Sequence, residues 1–213
     1  MYFCKIKRNT FLKNVLRLKN FIKTMGQIKF ELGNYYHIYN RGNNIEDIFV
    51  EERNYTLFLE MIKKYLLQVS DIYAYCLMAN NFHLLVKMKE PQEIADEKLR
   101  EKPYLSFAYM FNSYAKKYNK TYDHNGSLFR EHLKRQKIEG EDFLKQVICY
   151  IHLNPIKYGI TDTFEYVYSS YNAMISRKKT LLKRKEVLEF FGGIESFIDY
   201  HNLQKQKYEN LIP

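Results

Sequence analysis

Apolar residues recur along the chain in two periods, and the switches between them mark out the elements. Tyr35 to Asn40 alternates as a β-strand does and runs into the turn cluster Arg41-Gly42-Asn43-Asn44. From Arg53 to Gln68 the period becomes helical, with Leu57, Phe58, Met61, Ile62 and Tyr65 inside and Glu60, Lys63 and Lys64 outside. Residues 71–88 read as two short apolar strands joined at Ala79-Asn80. Alternate side chains of a strand share a face, so Asn81 and His83 point one way and Phe82 the other, into the core. The polar run Glu90 to Lys102, bounded by Pro91 and Pro103, predicts a linker or capped turn. A helix over residues 104–118 follows, with Leu105, Ala108, Tyr109, Phe111 and Tyr114 inside.

Residues 126–138 carry one apolar alternation among Arg130, Lys134, Arg135 and Lys137, which suits either a charged edge strand or a track for phosphate. Residues 140–154 predict a further helix with Phe143, Leu144, Val147, Ile148 and Ile151 inside. Glu139, Glu141 and Asp142 stand in or before its first turn, and Pro155 predicts its end. Lys185 to Phe191 and Ile194 to Gln206, on either side of Gly192-Gly193, predict small helices that cover the core. Strand, helix, strand, strand, helix, strand, helix is an α+β order, best met by a ferredoxin-like antiparallel sheet with helices on one face, plus C-terminal helices.

Size and charge divide this picture into parts. At 213 residues and 25.9 kDa the chain suits one core with terminal extensions. The expected divisions are a basic N-terminal extension (1–24), a main domain (25–160) and a C-terminal helical extension (161–213). The formal charge of +10 favours a polyanionic partner, but residues 1–24 hold seven basic side chains and no acid. Their Phe11, Leu12, Val15, Leu16 and Ile22 lie at helical spacing. The tail reads either as a basic amphipathic helix or as an extension upstream of an alternative start at Met25. No apolar run approaches the roughly 18 residues of a membrane span, so no membrane partner is expected. Cys4, Cys76 and Cys149 are odd in number, far apart and in no CxxC pair, which argues against a disulfide framework or zinc site and fits a reducing cytoplasm.

Two places carry candidate chemistry. Asn81 and His83 can present two ligands to one ion; a half-buried strand histidine with a satisfied ring is the plainer reading. Tyr150 and Asn154, four residues apart, share one helix face. The side-chain oxygen of Asn154 suits a hard divalent cation, Mg2+ or Mn2+, and Tyr150 would sit beside it as a nucleophile. Alone, a tyrosine at a helix end is ordinary core packing.

Tyr36-His37-Ile38-Tyr39-Asn40-Arg41-Gly42, Tyr75 to Val86, Gly126-Ser127-Leu128-Phe129-Arg130 and Tyr150-Ile151-His152-Leu153-Asn154-Pro155 stand in this order. Together they resemble successive blocks of the REP-associated tyrosine transposases, a branch of the single-tyrosine HUH transposases. With Tyr168-Ser169-Ser170-Tyr171 and the region of Phe191-Gly192, the resemblance runs from about residue 33 to about residue 205. It implies a ferredoxin-like domain that binds DNA hairpins and cuts single-stranded DNA beside them. Tyr150 matches the nucleophile that forms a 5′-phosphotyrosine link, His83 the second histidine of the metal pair, and Asn154 the helix-borne third ligand. Asn81 stands where the family's first histidine belongs, and Ala79 where a proline is frequent. Asn81 would be a weaker, neutral ligand. Two functions follow as expectations: metal-dependent strand transfer, or hairpin binding with impaired or absent catalysis. Arg41, Arg130, Lys134 and Arg135 would contact the DNA backbone. Monomer and homodimer are both open.

Overall fold

The computed structural model describes residues 29–130 and 133–210, so the predicted basic tail at 1–24 lies outside the described residues. Strand β1 (Tyr35–Arg41) leads to helix α1 (Glu52–Tyr65), then to the hairpin of β2 (Ser70–Met78) and β3 (Asn81–Met88). A short α2 (Glu97–Glu101), a long α3 (Tyr104–Tyr122), β4 (Lys134–Ile138) and α4 (Glu141–Lys157) follow. The chain closes with α5 (Tyr171–Ile175), α6 (Arg184–Phe191) and α7 (Ile194–Glu209). All strand pairs are antiparallel and the order is β2-β3-β1-β4, the ferredoxin-like arrangement that the element order predicts.

The period-2 pattern of the central strands divides the core into two layers. Tyr36, Ile38, Phe82, Leu84 and Val86 face the crossover helices and pack with Phe58 and Met61 of α1 and Phe107, Met110 and Tyr114 of α3. Leu85 and the β2 residues Ala74, Cys76 and Met78 face the other way, against Val147, Ile148 and Ile151 of α4. Phe164, Met174, Val187 and Phe197 complete that second layer. Strand β2 is apolar on both faces, so the sheet needs cover on both. The crossover helices supply one layer, and α4 with the C-terminal helices supplies the other.

Local chemistry redraws three boundaries. The polar stretch after β3 contains α2, started by the Asp96 side chain, which accepts from the Leu99 N–H at 2.9 Å. Of the candidate strand at 126–138, Lys134–Ile138 forms the sheet edge and Phe129 makes a single bridge to Gly42, while Leu128 is buried in the first core. The third is a correction: Pro155 does not end the last core helix, which continues to Lys157. The missing proline N–H forfeits one bond in the final turn. That turn is held instead by the N–H of Tyr158 to the Asn154 carbonyl (3.0 Å) and of Ile160 to the Pro155 carbonyl (2.9 Å), with the proline ring buried. Lys157, seven residues after Tyr150, thereby joins the same helix face.

A buried polar chain ties the C-terminal helices to α4 and β2. The His201 Nδ1–H donates to the Phe197 carbonyl one turn earlier (2.8 Å), which makes its Nε2 an acceptor for the His152 Nδ1–H (2.9 Å). His152 Nε2 then accepts from the Ser170 hydroxyl (2.7 Å), whose oxygen accepts from the Tyr75 N–H (2.9 Å). Each donor meets an acceptor, so one tautomer is specified throughout.

Gly42 closes the end of β1. Its N–H donates to the Asn80 carbonyl at 2.8 Å, and a Cβ there would come within 1.9 Å of the Glu46 backbone oxygen. Backbone cannot swing aside as a side-chain tip can. Gly42→Ala is expected to destabilise by about 1–3 kcal/mol, the usual range for overpacking, or to displace the 43–46 turn. Chemical denaturation would read this; an unchanged midpoint would mean that the turn yields freely.

Candidate active site

The face of the sheet beneath α4 carries a polar cluster near the β1–β3 pair. In register, His83 of β3 lies opposite Tyr39 of β1, which lies opposite Lys134 of β4; one step along, His37 lies opposite both Leu85 and Gln136. Cross-strand partners share a face, so His37, Tyr39, His83, Asn81, Lys134 and Gln136 all present to the α4 side. Across from them, α4 places Tyr150 over both histidines, with ring centroids 5.9 Å from His37 and 5.8 Å from His83. The Lys157 ammonium sits 4.5 Å from the centre of the Tyr150 ring.

Asn154, one turn after Tyr150, is 1% exposed and its amide lies against the phenol. That contact favours the phenolate, although Asn154 Nδ2 makes no well-formed hydrogen bond. Asn81 donates through Nδ2 to Asn80 Oδ1 (2.8 Å), while its own Oδ1 is buried with no partner. His37 Nε2 and His83 Nδ1 are 3.0 Å apart, so His83 keeps Nε2 for a further ligand.

Burial governs the protonation of the cluster. Loss of water pushes the Tyr150 hydroxyl up to about 12, with small additions from Tyr158 and Tyr39 and a small opposing effect from Asn154. Desolvation lowers His83 to about 3, reinforced by the Lys157 charge, and holds His37 well below the ordinary imidazole range. Both imidazoles are therefore neutral near pH 7, the form that can ligate a metal.

The donors suit a hard divalent cation in kind: one imidazole nitrogen and the amide oxygens of Asn81 and Asn154, the Asn81 oxygen being an acceptor in want of a partner. All three are neutral. Among the described residues, no group of three His, Cys, Asp or Glu side chains converges on a metal position.

The structure thus brings together Tyr150, His83 and Asn154, with Asn81 nearby on the same sheet face. The basic residues divide. Arg41, opposite Asn81, and Lys134, opposite Tyr39, are exposed on the α4 side. Arg130 is exposed where the chain re-enters the sheet; its N–H donates to the Arg41 carbonyl (3.0 Å) and its carbonyl accepts from Asn40 Nδ2 (3.0 Å). Arg135 turns to the opposite face, 4.6 Å over the Phe30 ring.

Sequence reasoning missed His37 and Lys157. The β1 alternation itself places His37 and Tyr39 on one face, so the signal for His37 was present. Lys157 was hidden by the expectation that Pro155 stops the helix.

A tyrosine-bearing helix laid over the histidine-bearing face of a βαββαβ sheet is the arrangement described here, and the described residues take the fold of the REP-associated tyrosine transposases. The solved structure of one such transposase, bound to a REP hairpin, aligns with a TM-score of 0.55 over 72% of this chain and 86% of that chain, at 13% identity, a likeness of fold. No protein-family model and no curated protein matches the sequence. No helix among the described residues is long and apolar enough to cross a membrane.

Proposed function

We propose that this protein cleaves and transfers single-stranded DNA beside hairpins, using Tyr150 as nucleophile. The observation that carries the reading is the convergence of Tyr150, His83 and Asn154 from β3 and α4 at one buried-to-exposed boundary. The Tyr150 oxygen attacks a phosphodiester phosphorus, the bond to the 3′ oxygen breaks, and the proton lost by the phenol is balanced by the one gained by the 3′ hydroxyl. The product is a 5′-phosphotyrosine link that a second 3′ hydroxyl can reverse. His83, Asn154 and Asn81 would hold Mg2+ or Mn2+. Such an ion, when bound, polarises a phosphoryl oxygen and favours a phenolate that burial otherwise suppresses. Arg41, Lys134 and Arg130 would position the phosphate backbone, and hairpin shape and unpaired bases would decide the target.

The test mixes purified protein with a labelled DNA hairpin carrying a single-stranded flank, adds Mn2+, and looks for a covalent adduct on a denaturing gel. Tight binding without an adduct would sink the enzyme and leave the second reading, a hairpin-binding protein. That reading is favoured by one observation: Asn81 contributes a neutral amide to a site where, among the described residues, no cluster of His, Cys, Asp or Glu side chains converges. If Asn81 is a weak ligand, Asn81→His should raise the rate of adduct formation by about tenfold, or about 1.4 kcal/mol of transition-state stabilisation. A rate that stays level or falls would show that Asn81 does not limit the site.

A further inference from the structure

The His37–His83 pair leaves a question of tautomer. One ring must donate and the other accept across their 3.0 Å contact, and which does so decides whether His83 Nε2 bears a lone pair or a proton. Two other atoms bear on the choice. His37 Nδ1 and Gln136 Oε1 are both buried without partners, in side chains 1% and 6% exposed, and the two residues are directly opposed in the β1–β4 register on the same face. Opposed side chains start from Cβ atoms about 4.5–5.5 Å apart, within reach of a glutamine rotamer change. A carbonyl oxygen satisfies an N–H and repels a lone pair, and leaving both atoms unpaired costs about 1–3 kcal/mol each.

We propose that Gln136 and His37 act as positioning residues that set the tautomer of His83. Gln136 Oε1 accepts from the His37 Nδ1–H, His37 Nε2 accepts from the His83 Nδ1–H, and His83 Nε2 is left with its lone pair available. In the reverse arrangement His83 Nε2 carries the proton and cannot ligate a cation, and with the Gln136 amide oriented as it is, both buried atoms stay unpaired. A second layer of acceptors behind a ligating imidazole is the usual way to fix its orientation. The tautomer assignment stands on the sheet geometry; its consequence for a cation rests on the function proposed above.

The primary test is two-bond 1H–15N correlation of the histidine rings in the unmodified full chain at pH 7.5, with the His83 signals assigned through a His83→Gln variant. The expected pattern is protonated Nδ1 and bare Nε2 at His83. A protonated Nε2, or the mixture of an unconstrained imidazole, overturns the proposal. Gln136→Met should release His83 into such a mixture, and Gln136→Glu, which keeps an acceptor, should preserve the single tautomer. A His83 pattern unchanged in Gln136→Met would remove Gln136 from the chain. With Mn2+ alone as the probe, read from the electron paramagnetic resonance of the free ion, His37→Leu should weaken binding by about 10–100-fold. Equal Mn2+ affinity in a folded His37→Leu protein counts against the positioning role. These readouts involve no DNA, so a protein that fails to cleave still tests the tautomer, and one that cleaves with the wrong tautomer refutes only this proposal.

Discussion

Tyr150→Phe is expected to abolish the covalent adduct while leaving hairpin affinity within about twofold. The change removes one oxygen from a half-buried side chain whose ring contacts, with His37, His83 and Lys157, remain available to phenylalanine. The hydroxyl makes no well-formed hydrogen bond with Asn154, so the loss to stability is at most about 1 kcal/mol and thermal unfolding should barely move. The chemistry, by contrast, has no substitute nucleophile at that position. An adduct that persists in the variant would refute the assignment and direct attention to Tyr39, whose ring centroid is 5.7 Å from that of His83. The pH profile supplies an independent check. With the phenol pushed up to about 12, only about one molecule in 10⁵ is phenolate at pH 7. The rate of adduct formation should therefore climb by up to tenfold per pH unit from 7 to 9 when deprotonation limits the reaction. A profile flat across that range would place the limit in another step, such as hairpin docking.

The second large effect is on stability. Acidification from pH 7.5 to 5 is expected to lower the unfolding temperature substantially, through the buried neutral histidines: His201 and His152, which share a chain with Ser170, and His37 and His83. Burial lowers His201 to about 4 against the opposing effect of its bond to the Phe197 carbonyl, and burial, reinforced by charge on His201, holds His152 well below the ordinary imidazole range. In the unfolded chain both titrate near 6.5, so between the two values the unfolded state binds more protons and stability falls with falling pH. The contribution is intact above about pH 6.5 and is lost progressively toward the folded-state values. At pH 5, about 1.5 units below 6.5, His201 costs about 2 kcal/mol and His83, lowered to about 3, a similar amount, while His152 and His37 add in the same direction. The loss of about 4 kcal/mol or more is taken from a stability of about 5–15 kcal/mol typical of folded proteins. For a chain of this size, about 4 kcal/mol corresponds to a fall of about 8–16 °C. Thermal melts followed by circular dichroism would measure it. His201→Leu should flatten the acid slope, because one titrating group is gone. It should also be less stable at pH 7.5 by about 1–3 kcal/mol, because the His152 Nδ1–H loses its acceptor. Equal acid slopes in the two proteins would exclude His201 as a source of the pH dependence.

The C-terminal helices owe their place to this chain and to the apolar layer around it. Phe197 and Val187 share a core with Val147 and Ile151 of α4. The helix that bears Tyr150 is consequently held from both sides, by the sheet below and by α6 and α7 beyond. Changes at His201, far along the sequence from Tyr150, should be transmitted to the site through the orientation of α4.

Much of this architecture is written in local pattern. The period-2 runs at 35–40 and 71–88 and the helical periods at 53–68, 104–118 and 140–154 each reflect burial of one face, which any sequence must display to fold so. The shared face of Asn81 and His83, and of Tyr150 and Asn154, follows from the same geometry. What local pattern could not supply is which faces meet. Whether α4 lies over the histidine side of the sheet depends on β2 being apolar on both faces and on C-terminal helices more than 100 residues away, a matter of long-range packing. Adjacent strand residues always part, so Lys134 and Arg135 had to face opposite ways, but which of them met the α4 side was set once β4 chose its register against β1. The passage of α4 through Pro155, which brings Lys157 to Tyr150, required tertiary contacts to outweigh the intrinsic cost of proline in a helix. The identity of the candidate groups is thus a property of the sequence, and their convergence, the raising of the Tyr150 pKa and the meeting of His37 with His83 are properties of the folded core, where distant residues exclude water together.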